Sequence, residues 1–305
     1  MRRCSAERRR PCRREASVAL YTSYDLFGAK ITPTKQGDLL EIVHRHIESA
    51  RQCVIASQNV HGLFVGRTEP AFVRLHSFAH TYVHIDGMPL VWLCRLRGID
   101  VVPEHRVTLV DWIWPLLERA AKHRWRVYYL GGSDAVIDAG TRAMRERLPD
   151  LQLRGHNGFF AESDDAANAE LLGDIRAYAP HLILVGMGMG RQERWILKNL
   201  PELGPATICT VGACMEYVSG AVRTPPRWMG QVGLEWLFRL AENPSRFWYR
   251  YTVEPMHVLS QVMRWLCFDS LSRESTYRSN AVTPRAVQHE AGNPTTVSAR
   301  GSTGS

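Results

Sequence analysis

The chain has 305 residues, of which 45% are hydrophobic and 22% charged, a balance typical of a globular protein. It contains no run of about 18 apolar residues, which argues against a membrane-spanning helix, and no apolar stretch of signal-peptide length follows its arginine-rich start. Its seven cysteines form no CxxC pair, so the sequence indicates neither a zinc site nor a redox motif and favours a reduced, cytosolic compartment.

The positive charge is concentrated at the start of the chain. The formal net charge is +8, and seven arginines against Glu7 and Glu15 place +5 of it within the first fifteen residues. We interpret residues 1–20 as a disordered basic leader or as the product of an over-called start codon. Binding of this segment to nucleic acid or to anionic lipid is the alternative.

From about Leu39, amphipathic helical patterns alternate with short apolar strands. The helical patterns cover residues 38–51, 109–123, 135–148, 165–178 and 191–200. The strand patterns cover residues 53–56, 82–85, 126–130, 181–185 and 206–211. Short apolar strands that alternate with amphipathic helices are typical of a parallel sheet covered on both faces. The sequence therefore predicts an α/β domain over residues 21–220.

The composition changes after Gly220. Residues 221–251 are rich in arginine, tryptophan and proline, and residues 254–268 are amphipathic, so we predict a helical appendage over residues 221–271. Arginine and aromatic side chains together suit a membrane interface. The alternative is a helix that packs on the core through its aromatic side chains, with solvated arginines. Residues 272–305 are rich in Ser, Thr, Asn, Gly and Pro, which predicts a disordered tail.

Glycine-rich segments follow two of the predicted strands. Gly131-Gly132 and the segment from Gly186 to Gly190 each lie between a strand and a helix, where ligands of parallel sheets bind. Glycine lets the backbone approach a phosphate, and the N-terminus of the following helix offers free N–H groups. A tight turn without a ligand is the alternative. Neither segment matches GxGxxG or a Walker loop, so no standard nicotinamide or ATP site is indicated.

One carboxylate stands at the end of a predicted strand. Asp86 follows the strand 82–85 and precedes Gly87, a position from which a carboxylate can act as general base towards a hydroxyl. The alternative is an N-cap of the next helix. Four histidines are interpreted as surface or packing residues: His44, His46, His61 and His84.

No Asp-x-Asp motif is present, so the sequence does not predict a metal-bound diphosphate of the usual kind. Without a metal, the charge of a departing nucleotide diphosphate must be met by arginines or backbone N–H groups. Arg106 is one such residue. Residues 223–250 offer more, namely Arg223, Arg227, Arg239, Arg246 and Arg250.

Six sequence blocks occur in a fixed order: 57–59 (SQN), 84–92 (HIDGMPLVW), 129–132 (YLGG), 185–188 (VGMG) with 191–193 (RQE), 211–213 (VGA) and 233–236 (GLEW) leading to Arg239. Together they resemble the WecB/TagA/CpsF family of bacterial glycosyltransferases, also called glycosyltransferase family 26, over about residues 26–251. The resemblance implies a Rossmann-like, mainly parallel sheet with helices on both faces. It also implies an inverting transferase that uses neither a metal nor another cofactor.

The resemblance further implies the substrates and partners. The donor is a UDP-sugar, and the acceptor is a sugar linked to undecaprenyl diphosphate in the synthesis of a cell-surface polysaccharide. The protein is then expected to be cytoplasmic and peripheral at the inner face of the plasma membrane, without a nucleic-acid partner. Formation of a homo-oligomer is left open.

The resemblance also implies roles for individual residues. Asp86 matches the proposed catalytic base, and the other active-site residues are Ser57, Asn59, Gln192 and Arg106. The residues implied to bind the UDP-sugar are Gly131, Gly132, Gly186, Gly188, Gly212 and Glu216. The residues implied to bind the acceptor diphosphate are Arg239, Arg246 and Arg250.

Some positions depart from the family pattern. Gly190 and Arg191 replace the usual Pro-Lys, Glu216 stands where aspartate is usual, and Tyr249 stands where many members have arginine. These departures leave the donor sugar undefined. Two other classes of function were weighed: a nicotinamide-dependent oxidoreductase, against which the missing GxGxxG argues, and a basic nucleic-acid-binding module.

Overall fold

A computed structural model of the chain describes residues 21–160 and 164–268, so the predicted leader (1–20) and tail (272–305) lie outside the described residues. The strands are β1 (Tyr24–Leu26), β2 (Ala29–Ile31), β3 (Cys53–Gln58), β4 (Thr81–Ile85), β5 (Arg126–Gly131), β6 (Gln152–His156), β7 (Leu182–Gly186) and β8 (Thr207–Thr210).

Helices connect these strands and form the C-terminal part of the described chain. They are α1 (Gln36–Glu48), α2 (Val60–Thr68), α3 (Pro70–Ser77), α4 (Met88–Leu96), α5 (Leu109–Lys122), α6 (Asp134–Arg147), α7 (Asp165–Tyr178), α8 (Arg191–Asn199), α9 (Cys214–Val218), α10 (Arg227–Gln231), α11 (Glu235–Glu242), α12 (Pro244–Thr252) and α13 (Glu254–Phe268).

The central sheet has six strands in the order β4-β3-β8-β7-β5-β6, and all neighbouring pairs are parallel. Strands β1 and β2 form a separate antiparallel hairpin. All carboxyl ends of the parallel strands therefore meet at one edge of the sheet, where ligands of such folds bind. The predicted Rossmann-like α/β fold is confirmed.

Burial on both faces explains why the strands are apolar along their whole length. All five residues of β7 are buried. Leu182 and Leu184 pack on the face covered by α1 and α5, whereas Ile183 and Val185 pack on the face covered by α7 and α8. Successive side chains of a strand point to opposite faces, so a strand inside a covered sheet needs apolar residues at every position.

The C-terminal helices cover one side of the sheet but expose many aromatic side chains. Helix α13 packs against α2, and α11 packs against α12. Trp228 is 58% exposed and Trp248 is 54% exposed, so these rings do not serve as core anchors. Tyr249, by contrast, contacts Phe64 of α2, so the appendage packs through only some of its aromatic side chains. Among the described helices, none has the length and apolar character needed to cross a bilayer.

Candidate active site

A cavity of about 340 Å³ lies at the carboxyl ends of β3 and β4. Its walls come from three parts of the chain: the residues that follow β3, the residues that follow β4 together with Arg106, and the C-terminal helices. The polar side chains in these walls are Asn59, His61, Asp86, Arg106, Glu235, Arg239, Arg250 and Tyr251. Five of these were expected from the sequence: Asn59, Asp86, Arg106, Arg239 and Arg250.

Asp86 is held by Asn59. The two residues directly follow neighbouring parallel strands, and the Asp86 N–H donates to the Gln58 carbonyl oxygen at 2.8 Å. Asn59 caps α2, since its Oδ1 accepts from the Gly62 N–H at 2.9 Å, and its Nδ2 donates to Asp86 Oδ2 at 3.0 Å. The capping bond fixes which way the Asn59 amide points.

The geometry also decides between the two interpretations of Asp86. The N-cap of α4 is Gly87, with φ of +105°, and no side chain caps this helix. The interpretation of Asp86 as an N-cap is therefore wrong. Oδ1 of Asp86 has no hydrogen bond to another residue of the described ranges and lies in the cavity wall, so this carboxylate is placed to accept a proton.

Arg106 is bound by two carboxylates. Its Nη1 donates to Asp111 Oδ2 at 3.2 Å and its Nη2 donates to Glu235 Oε1 at 2.6 Å. Helix α10 packs directly on this pair, because a Cβ added at Gly230 would lie 2.0 Å from Nη2. Arg106 thus joins the segment beside β4 to the C-terminal helices, and its charge is compensated within the protein.

The positive charges of Arg239 and Arg250 are less well compensated by carboxylates than that of Arg106. Arg239 lies 4.0 Å from Glu235, and its buried Nε has no hydrogen-bond partner in the described part of the chain. Arg250 has no carboxylate within 4.0 Å among the described residues, and burial lowers the pKa of its guanidinium. Arg250 is therefore a buried cation without a paired anion, which is unfavourable, so its side of the cavity favours an anionic ligand.

His61 of the cavity wall contacts Glu254, a buried glutamate that does not line the cavity. His61 Nδ1 lies 2.6 Å from Glu254 Oε2, and only 4% of Glu254 is exposed. Burial, assisted by Arg250, lowers the pKa of His61 to about 3, and burial raises the pKa of Glu254. His61 was interpreted from the sequence as a surface or packing residue, but it lines the cavity. His84 is fully buried beside Trp112, as expected for packing.

Two of the expected active-site residues lie outside the cavity wall. Ser57 is half-buried in β3, opposite His84 of β4. Gln192 is 1% exposed, and its Oε1 accepts from the Gly212 N–H at 3.2 Å. Its Nε2 donates to Glu193 Oε1 at 2.8 Å, so the Gln192 amide ties α8 to the segment after β8.

The glycines expected to bind UDP-sugar lie at the ends of β5, β7 and β8, beside the cavity rather than in its wall. A Cβ at Gly131 would lie 2.1 Å from the Gly186 carbonyl oxygen, and one at Gly186 would lie 2.6 Å from that of Gly212. Gly131 and Gly186 thus allow neighbouring strand ends to approach closely, whereas a Cβ at Gly212 would meet nothing within 4 Å. Gly132 and Gly188 have φ of +77° and +84° in the turns before α6 and α8.

Glu216 and Arg246 also lie outside the cavity wall. Glu216 is half-buried, and its Oε2 has no hydrogen-bond partner among the described residues. Arg246 is exposed, with its guanidinium carbon 5.5 Å from the centre of the Phe247 ring.

Sequence reasoning missed several residues of the wall. Glu235 lies in a block that the family resemblance had identified, but its contact with Arg106 spans 129 residues and has no local signal. His61 stands two residues after Asn59, a position that could have drawn attention. Tyr251 was recognised only as one of the aromatic residues interleaved with the arginines of the appendage. Glu254, which contacts His61 but does not line the cavity, had no distinguishing pattern.

One group of side chains within the described ranges could hold a metal ion, and it lies away from the cavity. His44, Glu48 and His123 bring their ligand atoms within 4.8 Å of one another. They stand at the ends of α1 and α5, which lead into the amino ends of β3 and β5. The cavity lies at the opposite edge of the sheet.

Comparison with known proteins identifies the family. The model of the glycosyl transferase WecG/TagA/CpsF family matches residues 24–271. Relatives include the N-acetylglucosaminyldiphosphoundecaprenol N-acetyl-beta-D-mannosaminyltransferases of Staphylococcus aureus strains COL and MRSA252. Each is 22% identical over 191 residues, which cover 60% of this chain and 74% of the relative. The chain therefore belongs to the glycosyl transferase WecG/TagA/CpsF family, and it is a glycosyltransferase.

Proposed function

We propose that this protein transfers a sugar from a UDP-sugar to a sugar carried on undecaprenyl diphosphate, with inversion at the anomeric carbon and without a metal ion. The relatives in Staphylococcus aureus are named for transfer onto N-acetylglucosaminyldiphosphoundecaprenol. The observation that carries the proposal is the cavity in which Asp86, oriented by Asn59, shares a wall with the incompletely compensated Arg239 and Arg250.

The proposed reaction is a single displacement. Asp86 accepts the proton of an acceptor hydroxyl, whose oxygen forms a bond to the anomeric carbon of the donor sugar from the face opposite UDP. The bond from that carbon to the diphosphate oxygen breaks, and UDP leaves with the electron pair. Asp86 ends the step protonated and returns its proton to water.

The arginines have two proposed tasks. Arg239 and Arg250 bind the acceptor diphosphate in the cavity that both line, and the diphosphate supplies the anionic partner that the buried Arg250 lacks. Arg106 stabilises the departing UDP, which requires its contact with Glu235 to exchange for a phosphate oxygen. The exposure of Arg246 supports a contact with the acceptor from outside the cavity.

The donor is proposed to bind at the ends of β5, β7 and β8. There, the turns at Gly132 and Gly188 precede α6 and α8, and helix N-termini favour phosphate groups. The other residues proposed to bind the UDP-sugar are Gly131, Gly186, Gly212 and Glu216, while Ser57 and Gln192 remain proposed as active-site residues. Gly131 and Gly186 would contribute by letting the ends of neighbouring strands approach closely.

The exposed apolar side chains of the appendage support a peripheral position at the cytoplasmic membrane face. Trp228 of α10 and Trp248 of α12 are more than half exposed. On α13, the exposed apolar side chains are Met256, Leu259 and Met263, each about half exposed or more. Aromatic and apolar side chains beside arginines suit the headgroup region of a bilayer, where an undecaprenyl-linked acceptor resides. Synthesis of a cell-surface polysaccharide is the process that uses such acceptors.

A transfer assay tests the proposal. The protein is incubated with N-acetylglucosaminyldiphosphoundecaprenol and, in turn, the UDP derivatives of N-acetylmannosamine, N-acetylglucosamine, glucose and galactose, all with excess EDTA. We expect one of these donors to extend the acceptor by one sugar with inverted anomeric configuration. Retention of configuration, or transfer that EDTA abolishes, would contradict the proposed mechanism. Absence of transfer from every donor would contradict the proposed substrates.

A further inference from the structure

The contact between His61 and Glu254 joins a residue of the cavity wall to a distant, buried part of the chain. His61 lies in the first turn of α2, directly after the Asn59 cap, whereas Glu254 is the first residue of α13. The distance of 2.6 Å between Nδ1 and Oε2 is that of a strong, charge-assisted hydrogen bond. Because Glu254 is buried, this bond is shielded from water.

The contact fixes the proton on the imidazole ring. A carboxylate beside Nδ1 accepts a hydrogen bond, so Nδ1 carries the hydrogen and Nε2 keeps its lone pair. Burial and the neighbouring Arg250 keep the pKa of His61 low, so the ring is neutral. Nε2 has no hydrogen-bond partner among the described residues. The ring thus offers a pure hydrogen-bond acceptor to the cavity that His61 lines.

An acceptor of this kind selects its ligand by chemistry. The other side-chain nitrogen groups of the wall are donors: the guanidinium groups of Arg106, Arg239 and Arg250, the Asn59 amide and the Trp236 indole. Phosphate oxygens accept hydrogen bonds and suit the arginines, but they have no hydrogen to offer to Nε2 near neutral pH. A sugar hydroxyl has one. Arg250, whose charge acts on His61, is proposed above to bind the acceptor diphosphate, so a hydroxyl of the sugar attached to that diphosphate is the ligand that fits.

We propose that His61 Nε2 accepts a hydrogen bond from a hydroxyl group of the acceptor sugar, and that Glu254 is the positioning residue that fixes the His61 tautomer. This inference rests on the proposed function. It makes the first turn of α13 part of the substrate site, beyond any role of the C-terminal helices at a membrane. The Asp86 carboxylate and His61 Nε2 then contact the same sugar from the same wall.

Two substitutions of His61 separate this role from a purely structural contact. Asparagine places an amide near the position of Nδ1, so it can still bond to Glu254 but offers no acceptor to the cavity. Glutamine is longer and places its amide oxygen near the position of Nε2. A control for loosened packing is Phe64→Leu, since Phe64 on the same helix contacts His257 and Tyr249 outside the cavity wall.

The experiment measures initial rates of transfer with the acceptor and the donor varied separately. We expect His61→Asn to raise the acceptor KM about tenfold while the donor KM stays within about twofold, because one hydrogen bond to the acceptor sugar is lost. His61→Gln is expected to recover most of this loss, and Glu254→Ala to raise the acceptor KM by several-fold because the tautomer is no longer fixed. Phe64→Leu is expected to leave both KM values near those of the wild type.

Other results of the rate measurements would overturn either this inference or the proposed function. An active wild type with an unchanged acceptor KM in His61→Asn overturns this inference alone. An equal rise in Phe64→Leu also overturns it, because loosened helix packing would then be the cause. A wild type that transfers no sugar to the acceptor overturns the proposed function, and the present inference with it. Melting temperatures of all variants identify any that fail to fold. If His61→Asn fails to fold, the acceptor KM of His61→Gln is the one compared with the wild type.

Discussion

Arg106 and Glu235 meet at 2.6 Å between Nη2 and Oε1, although 129 residues separate them in the sequence. Their side chains are only 10% and 22% exposed, so water screens the attraction weakly. The pair connects the segment that runs beside β4 to the first turn of α11. It therefore holds the C-terminal helices over the cavity that contains Asp86.

The first prediction concerns the stability that this contact provides. Glu235→Ala leaves Arg106 partly unpaired at a half-buried site, so we expect the free energy of unfolding to fall by about 1–3 kcal/mol. The matched control is Glu242→Ala, which removes a partner of Arg223 at an exposed pair and should cost no more than about 1 kcal/mol. Urea denaturation followed by far-UV circular dichroism measures both. Equal losses would contradict the account of the buried pair.

The second prediction concerns the close approach of the strand ends. Gly186→Ala places a Cβ 2.2 Å from the Tyr129 hydroxyl oxygen and 2.6 Å from the Gly212 carbonyl oxygen. The strands must separate to accept it, so we expect a loss of about 3 kcal/mol or more, or failure to fold. Gly173→Ala, in the middle of α7 with nothing within 4 Å of the added Cβ, should be neutral or stabilising by up to about 1 kcal/mol. Thermal unfolding of the two variants distinguishes these outcomes.

The third prediction is a pH dependence of stability caused by Glu193. Burial raises the pKa of this carboxyl from 4.5 to about 7. A carboxyl with a raised folded-state pKa binds its proton more tightly in the folded protein than in the unfolded chain. The stability that Glu193 contributes through this proton is therefore fully present below pH 4.5 and is lost as the pH rises towards 7. Glu193→Gln should therefore flatten the fall in unfolding free energy between about pH 5 and 8, by up to about 3 kcal/mol. Parallel curves for wild type and variant would contradict this expectation.

The fourth prediction separates the arginines of the appendage. Arg250 lines the cavity, whereas Arg246 is exposed on the same helix. Under the proposed function, Arg250→Gln should raise the acceptor KM by at least about tenfold, because the diphosphate loses its contact with the desolvated positive charge of Arg250. Arg246→Gln should raise it by only a few-fold, and the effect should shrink at high salt. Steady-state transfer rates at two salt concentrations test this order, and the reverse order would contradict the assignment of the two residues.

Much of the fold could be predicted because the local pattern matches the burial. The strands β3, β4, β5, β7 and β8 are apolar on both faces and were predicted within about two residues of their bounds. Strand β6 was missed because it lies at the sheet edge, where Leu153 is buried but Gln152 and Arg154 are exposed. The hairpin of β1 and β2 and the short helices α2 and α3 also escaped the helical and strand patterns.

The site was only partly predictable from the sequence. Asn59 and Asp86 could be found because the ends of neighbouring parallel strands must meet at one edge of the sheet. The contacts of Arg106 with Glu235 and of His61 with Glu254 could not, because tertiary packing alone brings their partners together. Family membership as a glycosyltransferase also removes the support for the oxidoreductase and nucleic-acid-binding alternatives.

The most direct measurement for the central claim compares Asp86→Asn with the wild type in single-turnover transfer at saturating donor and acceptor. Asparagine keeps the size of the side chain and its contact with Asn59 but cannot accept a proton as the carboxylate does. We predict a rate about 10²–10⁴-fold lower, with the dissociation constant for UDP unchanged in calorimetry. Transfer at a rate near that of the wild type would contradict the role of Asp86 as general base.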